Sequence, residues 1–357
     1  MTRATRAEIN LSALQHNLQV ARSRTRAKQL AIVKANGYGH GIVEVARALI
    51  DADGFGVATI DEGIALRESG IYKPVLLLEG FNRPQDLPLI HAYKLQCLIH
   101  NEEQLSILEK YGRHPVGVWL KIDTGMHRLG FSVDQVSNAY HRLSELGCVE
   151  KPVNLMTHFA CADDQDKEFT RQQTELFEKA TGQFKHAEKS MANSAGILGW
   201  PDSHADWVRP GIMLYGSSPF VGGEAAQYDL KPVMTLKSEI IAIHQFRKGD
   251  SIGYGQAYVC ETDMPVATIA IGYGDGYPRH AQQGTPVMIN GHLQPLIGRV
   301  SMDMITVDLR NADNVKVGDE VTLWGEGLPV EVIAENADTI SYELFCGVTG
   351  RVRFHYC

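Results

Sequence analysis

Cysteine is scarce and unpatterned in this chain of 357 residues: Cys97, Cys148, Cys161, Cys260, Cys346 and Cys357 form neither a CxxC pair nor a crowded framework. That excludes a disulfide-stapled secreted scaffold, and reduced thiols are expected. No metal is expected either. Long hydrophobic runs are also missing: no stretch approaches the roughly 18 uninterrupted apolar residues of a membrane span. The opening MTRATRAEINLSALQHNL lacks the apolar core and small-residue cleavage site of a signal peptide, so a cytoplasmic location is expected. Basic patches are absent as well. Lys and Arg number 34 against 42 Asp and Glu, a net charge of -8 with the signs interspersed, which argues against a nucleic-acid partner.

What the chain does have is core-forming material. Hydrophobic residues make up 44% and charged residues 21%, the balance of a globular protein with no disordered or low-complexity tract. The length exceeds what one hydrophobic core usually fills, so a large domain with a smaller one is expected.

From Asn10 to about residue 230, short apolar runs alternate with segments of helical period. Asn10 is a plausible N-cap for NLSALQHNLQVARSR, whose Leu11, Leu14, Leu18 and Val20 form an apolar stripe. The predicted strands are QLAIVK (29–34), GFGVA (54–58), PVLLLE (74–79), LQCLI (95–99), VGVWLKI (116–122), VNLMTHF (153–159), FKHAEKS (184–190) and HADWVRPG (204–211). Eight strands alternating with helices fit an α/β fold of the (β/α)8 TIM-barrel type, with a doubly wound sheet as the rival. The expected barrel occupies residues 1–230. Beyond it, residues 231–357 change texture to short β-branched segments separated by Gly, Pro, Asn and Asp, the pattern of a smaller, mainly β domain.

The stretch AIVKANGYGHG puts Lys34 at the C-terminal end of the first predicted barrel strand, the face on which barrel active sites assemble. Gly37, Gly39 and Gly41 then allow the following loop to pass close to whatever the lysine meets.

This stretch resembles the pyridoxal-phosphate lysine motif of the alanine racemases. The resemblance continues through WLKIDTGMHRLG, LMTHFA, MANSAG, WVRPGIMLYG, SIGYGQAY, TIAIGYGDGYPR and IGRVSMDMITVD to SYELFCGVTGRV, covering the chain in family order. It implies a pyridoxal 5'-phosphate (PLP) barrel followed by a β domain. It also implies a homodimer in which the β domain of one subunit contributes to the partner's active site, and a reaction that interconverts L- and D-alanine. Such racemases supply D-alanine for cell walls or serve alanine breakdown.

By the same resemblance, Lys34 joins the cofactor aldehyde covalently and acts as a base on one face of the substrate Cα, while Tyr254 serves the opposite face from the neighbouring subunit. His158 and Arg209 resemble the supporting network, with Arg209 facing the pyridine nitrogen. Ser194, Gly211 and Ile212 are expected to hold the phosphate, with hydroxyls from Tyr38 and Tyr342 and with Asn193 behind them. Barrel folds commonly bind phosphate after their seventh and eighth strands, where MANSAG and RPGI fall. Arg128 matches the residue that steers the substrate carboxylate, and Lys121 one that many relatives carry as a carbamate. Met302 and Asp303 match substrate-facing residues supplied by the partner. Two positions depart from the common pattern: Gly37 stands where alanine is frequent, and Ser301 where cysteine is.

A racemase of broader specificity, for serine or lysine, remains open, because one methylene in a pocket is worth only about 1–3 kcal/mol. Decarboxylases of the same plan typically carry a run of three glycines and an acidic residue near the pyridine nitrogen; this chain has no GGG run and carries Arg209 there. Single-domain PLP carriers lack a counterpart of residues 231–357.

Overall fold

The computed structural model describes residues 3–166 and 168–357, which fall into two compact units. The first strand, β1 (Arg6–Ile9), is followed directly by α1 (Leu11–Arg24). The side chain of Asn10 accepts the amide of Ala13 at 2.9 Å, the N-cap anticipated from the sequence.

One unit, Gln15–Leu214 with Ser218–Gly223, is a closed parallel barrel. Its strands are β2 (Lys28–Ile32), β3 (Gly54–Val57), β4 (Val75–Leu77), β5 (Gln96–Ile99), β6 (Val118–Lys121), β7 (Asn154–Met156), β8 (Lys189–Ser190) and β9 (Trp207–Val208). Closure is made by β2 and β9, which pair Lys28 with Trp207 and Gln29 with Val208. Parallel barrel strands are covered on both faces, which is why they read as continuous apolar runs. All eight expected strands occur, but FKHAEKS and HADWVRPG shrink to two ladder residues each, Lys189–Ser190 and Trp207–Val208.

A short turn, α2 (Lys34–Tyr38), follows β2 at the barrel mouth, and the outer helices are α3 (Ile42–Ala48), α4 (Ile60–Glu68), α5 (Leu87–Ala92), α6 (Glu102–Tyr111), α7 (Val136–Glu145), α8 (Phe169–Thr181) and α9 (Ser194–Gly199). Several begin on local signals. Thr59 and Glu62 exchange side-chain and backbone hydrogen bonds in a capping box before α4, and Asn101 accepts the amide of Gln104 at 2.8 Å to start α6.

The other unit comprises residues 3–14, 215–217 and 224–357. It contains β10 (Met234–Phe246), β11 (Ser251–Ile252), β12 (Tyr258–Val259), β13 (Met264–Ile269), β14 (Pro286–Ile289), β15 (His292–Ile297), β16 (Ile305–Asp308), β17 (Glu320–Trp324), helices α10 (Val330–Asn336) and α11 (Ser341–Gly347), and β18 (Arg353–Tyr356). The long β10 pairs with β17 through its first half and with β13 through its second, so β10, β17, β14, β15, β16 and β13 close into a ring. A register shift between Ile240 and Ala242 bends β10 where it changes partner.

The sequence reading set residues 1–230 apart as the barrel, but the N-terminal segment goes elsewhere. Strand β1 pairs antiparallel with β10 and parallel with β18, so residues 3–14 are part of the β unit. Ala7 and Ile9 are fully buried in that sheet, which fixes the register of so short a strand.

Candidate active site

Strand β2 ends at Ile32, and Lys34 opens a turn of opposite hand to an ordinary helix. Ala35, Asn36, Gly37 and Tyr38 all have positive φ, at 52, 54, 62 and 49°. Left-handed backbone costs a non-glycine residue about 1–2 kcal/mol, so the run needs compensation. It comes from Gly37 N–H donating to the Val33 carbonyl at 2.8 Å, Gly39 N–H to Ala35 at 2.9 Å and Gly41 N–H to Asn36 at 2.9 Å. The Asn36 side chain also accepts the Ile42 amide at 3.0 Å, and Glu62 accepts the amide of Asn36 at 3.3 Å. The turn leaves Lys34 half-buried at the C-terminal mouth of the barrel and folds Tyr38 inward.

Below Lys34 lies a cluster of cations. Lys121 is buried at the end of β6, and burial first, then the charges of Arg209, Arg128 and Lys34, push its ammonium well below the ordinary lysine range. Arg209, just after β9, is also buried, and desolvation lowers it to about 9. Its hydrogen bonds go to neutral acceptors. Nη1 donates to Ser190 Oγ at 2.6 Å, and Nη2 to the carbonyls of Thr157 at 2.7 Å and Met191 at 3.0 Å. Nη2 also reaches Nδ1 of His158 at 3.3 Å. Burial and the charges of Lys121, Arg209, Arg128 and Lys34 drive His158 well below the usual histidine range, so it is neutral at physiological pH. Arg128 sits exposed at the rim, in the loop after β6, within electrostatic reach of both Lys121 and His158.

The ends of β8 and β9 come together. Asn193 caps α9 by accepting the Gly196 amide at 2.9 Å. The buried Ser194 hydroxyl accepts Gly211 N–H at 2.9 Å and Met213 N–H at 3.4 Å, which ties the two loops to each other. Gly211 leaves space for Tyr38, whose hydroxyl oxygen would lie 3.0 Å from a β-carbon at that position. Ile212, buried, follows at once. The structure thus brings Lys34, Tyr38, Lys121, His158, Asn193, Ser194, Arg209, Gly211 and Ile212 to the same end of the barrel, with Arg128 at its rim.

Tyr254, Met302, Asp303 and Tyr342 belong to the β unit. Tyr254 is 68% exposed and Met302 52%, and near them in sequence Tyr273 and Met304 are exposed as well. Gly253 and Gly255, flanking Tyr254, pack against Arg299, and Tyr273 N–H donates to the Ser301 carbonyl at 3.0 Å. Together these turns present aromatic and thioether side chains to solvent. Tyr342 lies partly buried in α11.

Ser190 and Thr157, which hold Arg209, and Asn36 and Glu62, which hold the left-handed turn, are functional residues that no sequence motif marks by itself. Ser190 and Thr157 sit at strand ends inside quoted segments, a signal too weak to separate them from packing residues.

The N-terminal domain model of alanine racemases matches residues 9–219 and the C-terminal domain model residues 233–356. The chain is 51% identical to alanine racemases of Aeromonas hydrophila and Coxiella burnetii, with 99% of each chain covered. Among solved structures it resembles the biosynthetic alanine racemase of Pseudomonas aeruginosa, at a TM-score of 0.97 and 42% identity, and that of Acinetobacter baumannii, at 0.93 and 38%, covering all of both chains in each case. With two domain models spanning nearly its whole length and relatives of this identity aligned end to end, the chain belongs to the alanine racemase family.

Proposed function

We propose that this enzyme interconverts L- and D-alanine, with PLP held at Lys34 and with Lys34 and Tyr254 handling protons on opposite faces of the substrate Cα. The family is PLP-dependent. The residues present fit the cofactor: an amine at the barrel mouth, a hydroxyl and backbone donors between the ends of β8 and β9, and a buried guanidinium behind them. When bound, PLP would supply the electron-accepting ring that acidifies the Cα–H bond.

The observation that carries the reading is Arg209. Its contacts are to carbonyls, a hydroxyl and a neutral imidazole. At about 9 it remains protonated near neutrality, and it has no proton acceptor strong enough to change that. A permanent cation here would withhold its proton from a bound cofactor ring and so would favour quick return of a proton to Cα over slower side chemistry. A decarboxylase site of the same plan would place an acid here.

Ser194, Gly211, Ile212, Tyr38 and Tyr342 would bind the phosphate, with Asn193 fixing the turn behind them. Arg128 would orient the substrate carboxylate through its planar donor fork. His158 would hold its neutral tautomer against Arg209 and support the network around the bases. Lys34 would remove or return the proton on one face, and Tyr254 would do the converse on the other.

The exposure of Tyr254, Met302, Met304 and Tyr273 supports a homodimer in which the β unit of one subunit completes the site of the other. The chain's acidic balance argues against nucleic acid as a partner. Among the described residues no helix is long and apolar enough to cross a membrane.

The deciding experiment is a chiral assay of the PLP-loaded enzyme against a panel of L- and D-amino acids, with decarboxylation products monitored. Racemisation of alanine above serine and lysine is expected; amine release instead would overturn the reading. Borohydride reduction should fix the cofactor to Lys34.

A further inference from the structure

The GYGDG segment, 272–276, carries a buried carboxylate that the reaction as described leaves unused. Asp275 is fully buried, yet two guanidiniums reach it. Arg3 ion-pairs with Oδ2, which also accepts the Gly272 amide at 3.0 Å, and Nε of Arg351 lies 3.3 Å from Oδ1. Both arginines continue to the substrate-facing turn. Arg351 Nη2 donates to Asp303 Oδ1 at 2.5 Å, and Arg3 Nη2 donates to the Asp303 carbonyl at 2.9 Å.

The backbones are docked as tightly as the side chains. Tyr273 N–H donates to the Ser301 carbonyl at 3.0 Å and Gly274 N–H to that of Met302 at 2.9 Å. A β-carbon on Gly272 would fall 2.2 Å from the Ser301 oxygen, and one on Gly274 would fall 2.3 Å from Arg351 Nη1. On the other side, Thr349 N–H donates to the Asp275 carbonyl at 3.1 Å and its hydroxyl to Gly274 at 2.9 Å. The turn is thus clamped between residues 301–304 and the loop before β18.

We propose that Asp275 is a positioning residue for the racemase site: by pairing with Arg3 and Arg351 it fixes the turn that presents Met302 and Asp303. The inference rests on the reading that those two residues face substrate. Asp275 is fully buried and so acts through the two arginines. Its charge holds two part-exposed guanidiniums that would otherwise repel each other, and each guanidinium in turn holds one end of Asp303. Because Met302 and Asp303 are read as holding substrate and not as moving its proton, loosening them should weaken substrate binding before it slows chemistry.

The test uses the full-length holoenzyme with Asp275→Asn and, because a buried substitution can unfold the chain, Arg351→Gln, whose side chain is partly exposed. Both should raise KM for L- and D-alanine by roughly tenfold, with a much smaller change in kcat and an unchanged cofactor absorbance. Hydrogen exchange should quicken at the amides of Tyr273 and Gly274 while β13 and β16 stay protected. Arg351→Lys should recover part of the KM loss. Unchanged KM, or unchanged exchange at Tyr273 and Gly274 in both variants, overturns the proposal. So does loss of protection spread through β13 and β16, which marks a merely structural role. A parent enzyme that turns over no alanine instead refutes the function proposed above, and is recognised before any substitution is made.

Discussion

The guanidinium of Arg209 donates to Nδ1 of His158 at 3.3 Å, which makes that nitrogen an acceptor and leaves Nε2 to carry the imidazole proton. Desolvation and four nearby cations disfavour a second proton. His158 should therefore stay neutral through the physiological range. An unfolded histidine titrates near ~6.5, so as pH falls through that value the unfolded chain gains a proton that the folded one does not. Stability should fall with acidification, by up to about 1.4 kcal/mol per pH unit for one such group. His40, lowered to about 4 by complete burial, and His100, lowered chiefly by burial, act in the same direction. Urea unfolding between pH 7 and 5 should show this slope, and His158→Gln should reduce it without abolishing it. An identical slope in the variant would mean that His158 protonates normally in the fold.

Gly37 sits at φ 62° inside the left-handed turn after Lys34. An alanine there would strain the backbone and bring its β-carbon 3.1 Å from Val45 Cγ2 and 3.3 Å from Val45 Cβ. Gly37→Ala should therefore destabilise by about 1–2 kcal/mol while PLP binding survives. Denaturant midpoints at saturating cofactor would measure it, and a gain in stability would show that the turn relaxes in solution to a right-handed one.

The barrel was legible because its strands are buried on both faces: Val75–Leu77 and Val118–Lys121 read as apolar runs without tertiary knowledge. Caps such as Thr59 and Asn101 were equally local. The destination of Arg6–Ile9 was not, because four residues carry no address; only the distant partners Met234–Phe246 and Arg353–Tyr356 supply it. Positive φ at Ala35 and Tyr38 runs against intrinsic preference and is imposed by the surrounding hydrogen bonds. In the site, the residue types at positions 34 and 209 gained meaning from family resemblance. The contact between Arg209 and Ser190 depends on the closure of neighbouring strands, which no local pattern encodes.

Lys121 offers a chemical test of the cation cluster. Burial and the charges of Arg209, Arg128 and Lys34 favour its neutral amine, the form that attacks carbon dioxide. The resulting carbamate would place a negative charge among the cations Arg209, Arg128 and Lys34 and steady Arg128. Labelled bicarbonate should give a 13C carbamate resonance in the enzyme that disappears in Lys121→Met. That variant should lose activity by roughly tenfold or more while retaining its cofactor band. Absence of the resonance in active enzyme would mean that Lys121 stays a neutral amine and that no carbamate is needed for activity.

Tyr254 is exposed on a turn that packs against Arg299, and Lys34 lies half-buried in the barrel unit, so a site shared between subunits makes a prediction about mixtures. Lys34→Ala removes the amine and Tyr254→Phe removes the phenol; each homodimer should be inactive in racemisation. If each site draws its lysine from one subunit and its tyrosine from the other, a mixed dimer contains one site with both groups and one with neither. Random exchange makes about half of the dimers mixed, with one of two sites restored, so activity should recover to roughly a quarter of the unmodified enzyme's. Mass spectrometry of intact dimers would confirm exchange independently. Full exchange with no recovered activity would place both groups of each site on one chain and end the shared-site model.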